Sequence, residues 1–223
     1  MSDLARIDPS DKTFFVLTGD IAGSTNIGAG KYGELTTPLK LLMESWPEVM
    51  DGRIFRGDSF QLLFADAAAA LRRALQLRCW FRKNTIGGSF MLDARISIGA
   101  GKVDYFGKTV LDSDGEAFRL SAQALDAMKA GDFLAVVTRD EALNEQLRVI
   151  FLLMEGFISK WTRNKAEVIF GVLANETQQA MANDLGVGQS AIHNRLKLAR
   201  WKKVEKTLAF MARRLSADSL IAK

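Results

Sequence analysis

Two aspartates stand where hydrophobic stretches give way to small or polar residues. Asp20 follows the apolar run "FFVLTG", and Asp58 lies in "RGDSF", between two further apolar stretches. Two carboxylates at one end of a sheet are the donors that Mg²⁺ or Mn²⁺ takes when phosphate oxygens complete its coordination. These residue types therefore predict a divalent-metal site held by Asp20 and Asp58.

The residues after Asp20 are small enough for the backbone to approach an anion closely. We expect a turn whose N–H groups bind phosphate, formed by Ala22, Gly23, Ser24 and Thr25. Aspartate followed by glycine or serine is also ordinary turn chemistry. A purely structural role for both carboxylates, as caps or turn residues, therefore stays open.

A second set of polar side chains lies near the C-terminus, in "TQQAMANDLGVGQSAIHNRLKLARW". Thr177 is suited to cap one helix, Gly186 to form a turn, and Val187 to pack between this helix and the next. We expect Ala180, Met181 and Leu185 to face inward on the first of these helices. The pattern is typical of a helix-turn-helix and resembles the DNA-binding helices of sigma-factor region 4 and of many bacterial repressors.

The second helix of this pair has one apolar face and one polar face. The side chains expected to read base edges or bind phosphates are Gln189, Ser190, His193, Asn194, Arg195, Lys197 and Arg200. His193 is the only histidine and has Gln189 and Lys197 at the i±4 positions, so it is not expected to bind a metal.

Charge is distributed unevenly along the chain. Residues 156–223 carry 12 basic and 5 acidic residues, whereas residues 1–155 carry 18 basic and 21 acidic ones. A basic C-terminal segment on a mildly acidic body favours double-stranded DNA as the partner of the C-terminal part alone. A three-helix cap packed on the main domain, or a protein-interaction unit, is the alternative.

The elements that must position these residues alternate between strands and helices. Strands are predicted in "TFFVLT", "GRIF", "FQLLF" and "FLAVVT", and "FMLDARISIGAGKVDYFG" is expected to hold a strand followed by a glycine-rich turn and a second short strand. A helix in "GEAFRLSAQALDAMKAG" is expected to end at Gly131. A hairpin at Gly57-Asp58 breaks strict alternation, so we expect an α+β fold with an antiparallel or mixed sheet. The predicted division is 1–138, a connecting helix over 139–160, and 161–223.

Composition points to a soluble protein in a reducing compartment. The longest apolar runs are far shorter than the roughly 18 residues that span a bilayer, and the start has no apolar signal region. Cys79 is the single cysteine and is expected to be a small buried residue. We expect a cytoplasmic location and no membrane partner.

Four motifs in this order carry a resemblance to the catalytic domain of class III nucleotidyl cyclases. They are "DIAGST", "RGDSFQLLF", "RISIGAGKV" and "DGEAFRLSAQAL", over roughly residues 13–138. The resemblance implies a ferredoxin-like fold, Asp20 and Asp58 as the two metal ligands, and a triphosphate cradle that begins at Ile21 and runs to Thr25. It also implies a nucleotide as the ligand.

The chain departs from the cyclase pattern in its last motif. Arg119 stands where cyclases carry the asparagine that orients the ribose, and Gln123 stands where they carry the arginine that stabilises the transition state. Both remain candidate ligand-binding residues, but cyclase activity is not inferred.

Nearly the whole chain resembles the SatD family of bacterial proteins. The shared features are "TGDIAGS", "RGDSFQLLF", "RISIGAG", "DGEAFRLSAQAL" and the C-terminal run from "ISKWTRNKAEVI" to "QSAIHNRLK". The resemblance implies a cyclase-like domain followed by a helix-turn-helix.

The sequence leaves three hypotheses. The first is a DNA-binding regulator, expected to be a homodimer, whose N-terminal domain binds a nucleotide or phosphorylated small molecule with a divalent metal. The second is a nucleotidyl cyclase or related nucleotide-processing enzyme. The third is a binding module in which the cyclase-like fold serves only as a dimer scaffold.

Overall fold

The structure is a computed structural model that describes residue 4 and residues 12–22, 32–85 and 91–216. Its strands are β1 (Phe14–Ala22), β2 (Val49–Phe55), β3 (Ser59–Phe64), β4 (Asp93–Gly101) and β5 (Leu134–Val137). Its helices are α1 (Tyr32–Glu44), α2 (Ala67–Lys83), α3 (Glu116–Ala127), α4 (Glu141–Ile158), α5 (Arg163–Leu173), α6 (Gln178–Asp184), α7 (Gln189–Leu198) and α8 (Trp201–Ser216). Among these helices, none combines the length and apolarity needed to cross a membrane.

The strands form one mixed sheet in the order β2-β3-β1-β4-β5. The first three pairs of neighbours are antiparallel, and β5 joins β4 in parallel. The hairpin between β2 and β3 turns at residues 56–58, where Gly57 has a φ of 86°. The expected α+β class and mixed sheet are confirmed.

Both faces of the sheet are covered, as the consecutive apolar residues at the start of β1 require, because successive side chains of a strand point to opposite faces. Phe15, Leu17 and Ile21 belong to the core shared with α1 and α2, whereas Phe14 and Val16 belong to a smaller core beneath α3. Helix α3 lies so close to β4 that a Cβ added at Gly99 would be 2.1 Å from the Ala117 carbonyl oxygen. Glycine at this position therefore sets the distance between helix and sheet.

Three local expectations were wrong. Asp20 lies within β1, because this strand stays paired with β4 as far as Ala22. Helix α3 ends at Ala127 with Met128 as its cap, so Gly131, with a φ of 96°, belongs to the following turn. Ala180 is exposed, and Ala182 is the buried alanine of α6.

Helix α2 is the centre of the molecule, because it is covered on two sides. Fourteen of its 17 residues are buried, among them Cys79, as the sequence predicted. One face packs on the sheet, and the other packs on α5 and α8. A single hydrophobic core therefore runs from the sheet through α2 into the C-terminal helices. The boundaries of the two expected domains stay a prediction.

Buried charges cross-link α2 to its neighbours. Arg78 and Arg82 of α2 both bind Asp93 at the start of β4, with the closest N–O distances at 2.8 and 2.7 Å. Arg78 also binds Glu155 of α4 at 2.6 Å. Burial alone would raise the pKa of Asp93, but the two guanidinium groups outweigh it and hold this pKa below its usual value.

We predict that Asp93→Asn lowers the free energy of unfolding by about 3 kcal/mol, because it leaves two buried arginines without their shared anion. Urea unfolding measures the change, with the exposed Asp126→Asn as the matched control. A loss no larger than that of the control would show that the network contributes little to stability.

The same network predicts a pH dependence. Because the folded-state pKa of Asp93 is depressed, its contribution is complete above the unfolded pKa, about 3.9, and is lost as pH falls through the folded value. The stability difference between wild type and Asp93→Asn should be constant from neutral pH to about pH 5 and shrink below pH 4. Urea titrations across this range test it, and a difference that does not change with pH would contradict it.

Candidate functional site

A cleft of about 370 Å³ opens beside the end of β1. It joins the last residues of this strand, the β2–β3 hairpin tip, one residue of β4 and the turn between α3 and β5. The lining residues are Asp20, Ile21, Ala22, Asp58, Arg95, Lys129, Ala130, Gly131, Asp132 and Phe133. The structure thus brings the two predicted carboxylates, Asp20 and Asp58, to one cavity.

Strand pairing brings the two aspartate residues to the same end of the sheet. Asp20 lies opposite Ser59 in the antiparallel register of β1 and β3, so the hairpin tip stands beside the end of β1. The Ile21 N–H donates to the Asp58 carbonyl oxygen at 3.1 Å, which fixes the tip against the strand. The backbone at Asp58 is therefore held beside the end of β1 by strand pairing.

The Asp20 carboxylate forms an ion pair with an arginine. Asp20 and Arg95 face each other across β1 and β4, and Arg95 donates through Nε at 2.9 Å and through Nη2 at 2.5 Å. The hydrogen bond to Asp20 is the main cause that raises the pKa of Arg95 above its ordinary value. This paired, fork-shaped contact takes both oxygens of Asp20.

The far wall of the cleft is a tight turn that carries charges of both signs. The Lys129 N–H donates to an Asp132 carboxylate oxygen at 3.0 Å, and the Asp132 N–H donates to the Lys129 carbonyl at 3.0 Å. Lys129 is exposed, as is Asp132. Arg95 and Lys129 give the cleft two cations that can bind an anion beside its carboxylates.

The expected phosphate cradle is described only at its beginning. Ile21 and Ala22 lie in β1, and the Ile21 N–H is already bonded to the hairpin tip. Gly23, Ser24 and Thr25 lie outside the described residues. Within the described ranges, no group of three or more His, Cys, Asp or Glu side chains is arranged to hold a metal ion.

Arg119 and Gln123 are not brought to the cleft. Both are exposed on α3. Arg119 binds Asp104 at 2.9 Å and Asp114 at 3.2 Å, near the N-terminal end of this helix. Neither side chain lines the cavity that holds Asp20 and Asp58.

The C-terminal candidates form a separate surface on α7. Thr177 caps α6 by accepting the Ala180 N–H at 3.1 Å, and Gly186, with a φ of 62°, makes the turn that leads to α7. Ile192 of α7 is fully buried, which turns the opposite face of this helix outward. The exposed residues there and just beyond are Gln189, Ser190, His193, Asn194, Lys197 and Arg200.

Arg195 differs from the other α7 candidates. It is partly buried and lies 3.8 Å from a Glu167 carboxylate oxygen on α5. It therefore helps to hold α7 against α5. Further cations lie exposed at the start of α8, namely Lys202, Lys203 and Lys206.

Sequence reasoning missed Arg95 and Lys129 as members of the cleft. Arg95 opens the "RISIGAG" motif, but its partner could be found only from the register of β1 and β4. Lys129 lies in a turn, whereas the sequence predicted that the helix would continue through this residue.

Neither models of known protein families nor the curated proteins compared with this chain give a match.

Proposed function

We propose that this protein is a DNA-binding regulator in which α6 and α7 form a helix-turn-helix and the cleft binds a phosphorylated ligand. The ligand is a nucleotide or similar phosphorylated molecule, taken up together with Mg²⁺ or Mn²⁺. The observation that carries the proposal is the outward face of α7, where hydrogen-bonding side chains lie in a row beside exposed cations.

The chemistry of this face suits duplex DNA. Gln189 and Asn194 have the amide groups that pair with adenine in the major groove, and Ser190 can bond to bases or phosphates. Lys197, Arg200 and Lys202 supply charge for the phosphate backbone. The α7 helix of 10 residues is about 15 Å long, a length that fits the major groove.

The arrangement of the sheet supports a cyclase-like N-terminal part. Read from β4, the strands follow the order β4-β1-β3-β2, with α1 and α2 packed on one face. This is the pattern of a ferredoxin-like βαββαβ unit, to which α3 and β5 are added. It accords with membership of the SatD family, which we infer from the motifs.

The cleft suits a metal and a phosphate together better than a metal alone. Because Arg95 forms an ion pair with Asp20, a metal ion without phosphate would find the charge of this carboxylate already neutralised. A phosphate group attracts Arg95 and Lys129, and a released Asp20 can then bind a cation with Asp58. A metal bound there would neutralise phosphate charge. Asp20 and Asp58 would orient the metal, and Arg95 and Lys129 would orient the phosphate.

The enzyme hypothesis has weaker support. Arg119, the basic side chain of the last cyclase-like motif, binds two surface carboxylates outside the cleft. A regulator requires only that the ligand bias how two subunits present their α7 helices to DNA, and a homodimer would supply the second helix.

We predict that Lys197→Ala with Arg200→Ala weakens binding to a random duplex by about tenfold or more and lowers the salt slope by about 2. The loss follows from two missing phosphate contacts. Fluorescence anisotropy at several salt concentrations measures both quantities.

The matched control is Lys40→Ala with Lys108→Ala, which removes two exposed cations from the sheet part of the chain. An equal loss in this control would mean that only net charge matters. No binding by the wild type would overturn the DNA-binding proposal.

We predict that Arg95→Ala raises the affinity for Mn²⁺ alone by about tenfold, because it frees Asp20 and removes a nearby positive charge. Electron paramagnetic resonance of free Mn²⁺ measures it. Adding Asp58→Asn should cancel the gain.

Arg119→Ala is the control, since it also frees two carboxylates, those of Asp104 and Asp114, on an open surface. An equal gain in Arg119→Ala, or no gain in Arg95→Ala, would count against a metal site in the cleft.

A further inference from the structure

Helix α4 is apolar on two opposite sides. Its inner side packs Leu143, Leu147, Phe151, Met154 and Ile158 into the main core. Its outer side exposes Val149, Leu152 and Leu153, at 53%, 71% and 65% of their surface. Three large apolar side chains so exposed on adjacent turns are unusual for a helix that faces only water.

The outer residues form one continuous stripe. Positions 149, 152, 153 and 156 are spaced i, i+3, i+4 and i+7, which places them along one line of a helix. Gly156 closes the stripe, and among the described residues no atom outside its own stretch of helix lies within 4 Å of the position that a Cβ would occupy. The stripe therefore offers a ridge at Leu152 and Leu153 and an open space at Gly156.

Charges flank the stripe with opposite sign at its two ends. Exposed Glu145 lies one turn before Val149, and exposed Lys160 lies one turn after Gly156. A second copy of α4 packed antiparallel, with its twofold axis at Leu152 and Leu153, brings Glu145 opposite the partner's Lys160. The same register places Val149 over the partner's Gly156. A parallel pairing would instead oppose like charges at both ends.

We propose that the outer face of α4 is the contact between two copies of this chain, packed antiparallel about this axis. The proposal does not rest on DNA binding or on the cleft. Leu152 also borders a groove of about 670 Å³ between α4 and the edge strand β5, so the apolar surface extends beyond the helix. Because α4 is only about 27 Å long, the contact is small, and we expect dissociation in the micromolar range.

Sedimentation velocity at loadings from roughly 1 to 200 µM tests the proposal. Wild type should pass from monomer to dimer, and Leu152→Glu with Leu153→Glu should stay monomeric throughout. Because both leucines are exposed, the variant should keep its fold, which circular dichroism checks. Leu41→Glu, on the equally exposed Leu41 of α1, is the matched control and should still dimerise.

A charge exchange tests the register. Glu145→Lys should weaken the dimer about fivefold or more, and Glu145→Lys combined with Lys160→Glu should restore it, because the opposed charges are then simply interchanged. If Glu145→Lys weakened the dimer only by disturbing its own helix, adding Lys160→Glu would not restore dimerisation. A wild-type monomer at all loadings, a dimer that survives both leucine substitutions, or absence of rescue would overturn the proposal.

Discussion

The contact on which the rest of the structure depends is the burial of Arg78 and Arg82 of α2 against Asp93 of β4. Isolated charges at this depth would be strongly destabilising, so the three groups stabilise the fold only when they are together. The ion pairs between these three groups hold α2 over β4, and the ion pair between Arg78 and Glu155 attaches α4 to the same cluster. The sheet and the C-terminal half therefore share one electrostatic centre.

The same centre connects the cleft to α7 through direct contacts. Asp93 lies two residues from Arg95 on β4, and Arg82 donates to the carbonyls of Ile158 and Trp161 at 2.9 and 2.8 Å. The Trp161 indole N–H in turn donates at 2.9 Å to the carbonyl of Ala199, at the end of α7. In the proposed regulator, this series of contacts would link the ligand cleft with the DNA-binding helix.

Much of the fold could be predicted from local patterns, whereas the contacts that complete the cleft could not. The apolar run in "TFFVLT", the hairpin at Gly57 and the cap at Thr177 are local signals, and each corresponds to an element of the structure. The pairing of Asp20 with Arg95 depends on strand register across 75 positions of the chain, which no local pattern contains.

Two of the errors concern the residue at which an element ends. Asp20 was expected after β1, but pairing with β4 extends the strand past it. Gly131 was predicted to end α3, but the helix ends at Ala127. The glycine lies instead in the turn that lines the cleft. Pairing with β4 decided the first boundary, and at the second a hydrogen-bonded turn from Lys129 to Asp132 takes the place of the last helical turn.

Amide hydrogen exchange of the whole chain, with and without a duplex DNA, tests the central claim most directly. The DNA-binding account predicts that peptides covering residues 189–203 gain protection on adding DNA, while peptides from β2 and α1 do not change. Protection confined to the sheet, or none at residues 189–203 under conditions where DNA is bound, would contradict it.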